Sequence, residues 1–135
     1  MQEDNKQIKN KILIVEDEAD IRSIYVEVLQ SAGYSVDEAA DGAEGMRKIK
    51  DTDWDLLLLD IMLPGEDGLK ILKDIKEKPE LKKGPIVAIT NLNSENIIQE
   101  AFSSGADGYL IKSEVTPDKV VEEVGKVLEK EEVES

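Results

Sequence analysis

The stretch Leu56-Leu-Leu-Leu-Asp60, which runs on into Ile61-Met-Leu-Pro-Gly-Glu-Asp-Gly68, decides the fold. Four leucines without polar alternation read as a strand buried on both faces, the mark of a parallel sheet covered by helices. The run is far too short to span a bilayer, and Asp60 ends it. Working outward, short apolar runs and helical stripes alternate on both sides. Residues 12–15 (ILIV) form another buried run. Ile21, Ile24, Tyr25, Val28 and Leu29 then share one helix face, with Gly33 as the C-terminal cap. Residues 35–39 read as a weaker strand, and Asp41-Gly42 turns into a short helix with Ala43, Met46 and Ile49 inward. Leu69, Leu72 and Ile75 mark a third helix, which Pro79 and Gly84-Pro85 punctuate before a strand at 86–90. Asn93 and Ser94 suit the cap of a helix with Ile97, Ile98, Ala101 and Phe102 inward. A fifth strand is expected at 109–112. Thr116-Pro117 then opens a last helix carrying Val120, Val121, Val124, Val127 and Leu128. Five strand–helix units in succession predict a doubly wound α/β domain with a five-stranded parallel sheet.

The chain has 135 residues, enough for one domain, expected over 11–129 between a polar tail at 1–10 and an acidic tail at 130–135. Seventeen basic against 31 acidic residues give a net charge of −14, which repels phosphate backbones and anionic lipid. Direct binding to nucleic acid or membrane is therefore not expected. The chain has no cysteine, so disulfides, thiolate catalysis and zinc–sulfur sites are excluded. It has no histidine either, which removes imidazole bases and serine-type triads. The polar start shows no signal-peptide pattern, so a cytoplasmic location is expected. The lysine-rich segment 69–84 reads as a solvated helix face with i,i+4 pairs such as Lys73/Glu77.

The polar residues fall where the apolar runs end. Glu16-Asp17 follow the first strand, Asp60 the third, Thr90 the fourth and Lys112 the fifth. In an open parallel sheet, ligands bind beyond the carboxyl ends of the strands, where strand order reverses. If the first and third strands flank that point, three carboxylates meet in one crevice opposite a hydroxyl and an ammonium. A hard divalent cation such as Mg²⁺ relieves such crowding, with Asp17 and Asp60 as ligands and Glu16 in support. A lysine opposite the metal fits an incoming anion, which together is the apparatus of phosphoryl transfer. With no Cys or His available, a carboxylate is the best covalent nucleophile, and Asp60 is the central one. Singly, these residues have plainer readings: Glu16-Asp17 as a helix cap, Thr90 as a strand residue, Lys112 as a snorkelling lysine.

These segments together resemble the receiver domain of two-component response regulators. The matching residues are Ile12-Leu-Ile-Val-Glu-Asp17, Leu57-Leu-Leu-Asp-Ile-Met-Leu-Pro-Gly-Glu-Asp-Gly68, Ile89-Thr90 and Gly105-Ala-Asp-Gly-Tyr-Leu-Ile-Lys112, spread over nearly the whole chain. The resemblance implies the flavodoxin-like receiver fold, strand order 2-1-3-4-5. It implies that Asp60 accepts a phosphoryl group from a sensor histidine kinase or a histidine phosphotransfer protein. Mg²⁺ would be held by Glu16, Asp17, Asp60 and the backbone carbonyl of Met62. Lys112 would pair with a phosphoryl oxygen, and Thr90 would donate its hydroxyl and move toward it. Tyr109 would then swing inward and remodel the face made by the fourth helix, fifth strand and fifth helix; plain core packing is an equal reading of Tyr109. That face suits a downstream protein target or a homodimer.

The chain departs from the family at several positions. Receivers usually carry a cis proline after the lysine; here Ser113 follows Lys112, and a cis bond without proline costs ~2.5–4 kcal/mol, so a trans peptide and a reshaped loop are expected. Asn91 stands where a small residue is common, placed either to narrow access to Asp60 or to hydrogen-bond the phosphoryl group. Met62 and Leu92, two residues after Asp60 and Thr90, are apolar and would position no hydrolytic water, so a long-lived aspartyl phosphate is expected. Two other readings compete. A haloacid-dehalogenase-type phosphatase also uses a strand-end aspartate but wants a second acid where Met62 stands. A degenerate receiver would bind a partner without being phosphorylated.

Overall fold

The computed structural model describes residues 10–63, 67–91 and 95–134, with side chains through residue 130. Five parallel strands, β1 (Lys11–Val15), β2 (Ser35–Ala39), β3 (Leu56–Asp60), β4 (Ile86–Thr90) and β5 (Gly108–Ile111), lie in the order β2-β1-β3-β4-β5. They alternate with α1 (Ala19–Ser31), α2 (Gly42–Asp51), α3 (Gly68–Glu77), α4 (Glu95–Ser103) and α5 (Pro117–Glu134). This is the doubly wound α/β architecture that the alternation of runs and stripes predicts.

The leucine run is central because its residues alternate between two cores. Leu57 and Leu59 join Leu13, Val15 and Ala88 beneath α2, α3 and α4, packed by Ile49, Leu72, Ile75 and Ala101. Leu56 and Leu58 join Ile12, Ile14, Val87 and Ile89 on the opposite face, against Tyr25 and Leu29 of α1 and Val120 and Val124 of α5. Helices on both faces are what let these strands be apolar at every position. Each fully buried leucine contributes roughly 1.5–3 kcal/mol.

Three helices open on side-chain caps, those of α2 and α5 where the sequence indicates. Asp41 caps α2 by accepting from the Glu44 N–H at 2.8 Å, while Glu44 Oε1 reaches back to the Ala40 N–H at 2.9 Å. Asp67 caps α3, and the Thr116 hydroxyl caps α5 through the Lys119 N–H. Gly33, at φ 103°, takes the left-handed position after α1, where its N–H and that of Tyr34 bond back to Gln30 and Leu29. Asn93 and Ser94 lie outside the described residues.

Several expectations are corrected. Ile24 of α1, Ala43 of α2 and Phe102 of α4 are exposed rather than inward. The face of α2 that meets the sheet is made by Gly42, Gly45 and Ile49. Strand β5 lies one residue earlier than expected, and Lys112 opens a short 3-10 turn instead of ending the strand. Helix α5 continues to Glu134, into the stretch 130–135 expected as an acidic tail. Lys73 pairs with Glu100 of α4 at 3.1 Å, not with Glu77; Lys70 and Asp74 make the i,i+4 pair. Lys76 donates to the Ser103 carbonyl, so this lysine face ties α3 to α4.

Candidate functional site at the carboxyl ends of the strands

Glu16 and Asp17 follow β1, Asp60 ends β3, Thr90 ends β4, and Lys112 follows β5. Because β1, β3, β4 and β5 are successive neighbours, all of these residues reach one end of the sheet. They border a cleft of about 260 Å³ lined by Asp17, Glu18, Asp60, Met62, Thr90, Asn91 and Lys112. Asp60 and Thr90 of this lining are buried, and so is Glu16, which pairs with Lys112.

Lys112 organises the charges. Its Nζ lies 2.7 Å from Glu16 Oε1, 2.9 Å from Asp60 Oδ2 and 3.0 Å from Glu18 Oε1. The other Asp60 oxygen, Oδ1, accepts the Met62 N–H at 2.9 Å. Glu16 Oε2 accepts the Glu18 N–H at 2.9 Å, and Arg22 Nη1 donates to the Glu16 carbonyl at 2.7 Å while its Nε holds Glu38. Backbone and side chain together therefore fix the β1–α1 connection.

Burial dominates the proton affinities. It pushes the Glu16 carboxyl up from 4.5 to about 7, against the opposing pull of Lys112 and the Glu18 N–H. It also raises the Asp60 carboxyl, again opposed by Lys112 and the Met62 N–H. Burial alone would lower Lys112, yet its carboxylate partners hold its pKa above the ordinary value, so it is charged wherever these carboxyls titrate.

Carboxylate oxygens of Glu16, Asp17 and Asp60 come within 4.8 Å of one another. Glu16 Oε1 is buried and meets Lys112 as an ion pair at 2.7 Å outside hydrogen-bond geometry, which leaves it acceptor capacity. An all-oxygen, anionic donor set with a lone pair to spare fits a hard divalent cation of the Mg²⁺ class.

The remaining expected residues divide. The Met62 side chain is 59% exposed at the cleft rim, and its N–H is already directed to Asp60. Asn91 lines the cleft, but its Oδ1 accepts the Ser113 N–H at 3.0 Å, so the residue ties the loop after β4 to the turn after β5. That bond exists because Ser113 is not proline, and the Lys112–Ser113 peptide is trans. Tyr109 is half-buried on β5, its ring centroid 6.4 Å from that of Phe102. Leu92 lies outside the described residues. Sequence reasoning missed Glu18, which adds a third carboxylate around Lys112 beside Glu16 and Asp60, and Arg22. The acidic run Glu16-Asp-Glu18 was a signal for the first.

A family model of the response regulator receiver domain matches residues 12–125. The chain is 38% identical over 113 residues to the transcriptional regulatory protein ResD of Bacillus subtilis, covering 84% of this chain and 45% of that protein. It thus spans less than half the length of this curated relative. Its fold superposes on a CheY-like response regulator receiver domain protein from Methanospirillum hungatei JF-1 with a TM-score of 0.85 and 30% identity, over 94% of this chain and 99% of that one. The chemotaxis response regulator CheY4 of Vibrio cholerae gives 0.81 and 31%, over 88% and 98%.

Proposed function

The chain belongs to the response regulator receiver domain family, and on that footing we propose that it is a phosphorylation switch whose acceptor is Asp60. The observation that carries the reading is the placement of Asp60 Oδ2 2.9 Å from Lys112, in a buried cluster with Glu16 and lining the cleft. Asp60 attacks the phosphorus of a phosphohistidine on a sensor histidine kinase or histidine phosphotransfer protein. The new P–O bond forms as the P–N bond breaks, and the electron pair returns to the departing imidazole. This chain has no histidine, so the donor lies outside it.

The chain's own groups divide the work. The Met62 N–H and Lys112 hold the Asp60 carboxylate in place and favour its ionised, attacking form. Lys112 then neutralises a phosphoryl oxygen, and the Thr90 hydroxyl donates to another. Glu16, Asp17 and Asp60, with the Met62 carbonyl, would hold Mg²⁺, which when bound supplies charge neutralisation for the phosphoryl oxygens. Movement of Thr90 is transmitted through Tyr109 to the α4–β5–α5 face, which a downstream protein or a second copy of the chain reads. Net charge −14 disfavours direct contact with nucleic acid or membrane. Among the described residues no helix is long and apolar enough to cross a membrane, and a cytoplasmic setting suits the reading.

The test is intact-mass measurement after incubation with Mg²⁺ and acetyl phosphate. One phosphoryl group should be gained by the wild type and none by Asp60→Asn. No adduct on the wild type would sink the proposal, and continuous release of phosphate from a phosphomonoester would favour a phosphatase.

A further inference from the structure

Lys112 faces three carboxylates that differ in their surroundings. Glu16 and Asp60 are buried and belong to the trio suited to a cation. Glu18 is outside that trio; its side chain is 54% exposed at the cleft mouth, and its bond to Lys112 is 3.0 Å. Glu18 also sits at the N-cap of α1 without using its side chain to cap the helix, so the carboxylate is not needed for local structure. Its oxygen and Asp60 Oδ2 both lie within hydrogen-bond reach of one nitrogen. An anion joined to Asp60 therefore arrives beside Glu18.

From this we infer that Glu18 is a positioning residue for phosphoryl acceptance: its carboxylate occupies Lys112 in the resting protein and must be displaced when the phosphoryl group takes that ammonium. The inference rests on the proposed role of Asp60. An exposed carboxylate is the weakest held of the three partners and the one most easily surrendered. Its charge also opposes the approach of a doubly negative donor. Glu18 thus sets a threshold against small anionic phosphodonors, and a partner that engages the carboxylate while docking would lower it.

The test compares wild type, Glu18→Gln and Asp20→Asn, a neighbouring surface acid on the first turn of α1. The rate of adduct formation from acetyl phosphate is read by intact mass, and the affinity for beryllofluoride, a phosphoryl mimic, by ¹⁹F NMR. Glu18→Gln should accelerate adduct formation and tighten beryllofluoride binding roughly three- to tenfold, with an unchanged urea midpoint. Asp20→Asn should change neither. If the wild type takes up both probes and Glu18→Gln matches it or is slower, the inference is overturned while the receiver reading stands. If Asp20→Asn reproduces the gain, general surface charge is responsible and the inference also fails. If the wild type takes up neither probe, the receiver reading fails and the inference with it.

Discussion

Replacing Lys112 with methionine removes the ammonium that faces Glu16, Glu18 and Asp60 while keeping an apolar stem of similar length. The consequence depends on pH. Glu16 has its folded-state pKa raised above the unfolded value, so its protonated form favours folding. That contribution is fully present below about pH 4.5 and is lost as pH rises through about 7; the shift corresponds to about 3 kcal/mol. Lys112 restrains the shift, so without it the carboxyls rise further and ionising them is harder. Removing one partner of a buried ion pair costs about 3–5 kcal/mol when the charge left behind stays ionised. At pH 5.5 proton uptake by Glu16 relieves much of this, and the loss should be about 1–2 kcal/mol; at pH 8 it should reach about 3–4 kcal/mol. Urea unfolding followed through the fluorescence of the buried Trp54 measures both. Saturating Mg²⁺ should recover more of the loss at pH 8 than at pH 5.5. A loss independent of pH, or one below about 1 kcal/mol at pH 8, would refute the reasoning.

Two further substitutions probe how the site is held. A methyl group on Gly68 would stand 2.6 Å from the Ile61 Cα and 2.9 Å from the Ile61 carbonyl oxygen, and would also meet the Asp60 carbonyl. Gly68→Ala should cost about 1–3 kcal/mol in urea unfolding and slow adduct formation at the displaced Asp60; unchanged values for both would contradict this packing. Ser113→Pro deletes the N–H that bonds to Asn91, as Asn91→Ala deletes the acceptor. A double-mutant cycle in urea should give a coupling of about 0.5–1 kcal/mol, and a coupling of zero would show that the two loops are not tied.

The parallel sheet was legible because the β3 leucines are apolar without alternation, and residues 35–39, 56–60 and 86–90 become β2, β3 and β4 at the expected bounds. Helix faces were less legible. Ile24 lies five residues before Leu29, about 140° round the helix, so the apolar stripe was wider than the arc that α1 buries. On α2 two of the three buried positions, Gly42 and Gly45, are glycines, which carry no hydrophobic signal; Gly45 lies so close to β1 that a Cβ there would stand 2.8 Å from Val15 Cγ1. Glu16, Asp17, Asp60, Thr90 and Lys112 could be gathered from strand ends alone, since every parallel strand presents its carboxyl end to the same crevice. Glu18 and Ser113 could not. One acts through a side chain that reaches across from a helix cap, the other through a backbone N–H, and neither has a periodicity. Counting Glu18, three carboxylates face the cleft's lysine and Asp17 lies beside them, a denser negative charge than the strand ends alone imply.

The central claim is that a phosphoryl group lands on Asp60, and borohydride trapping tests it most directly. After incubation with Mg²⁺ and acetyl phosphate, reduction of the acyl phosphate converts the modified aspartate to homoserine, and peptide mass mapping locates it. The account predicts homoserine at position 60 and at no other acid. Reduction products at Glu16, Asp17 or Glu18 with position 60 intact, or none anywhere on a folded wild-type chain, would contradict it.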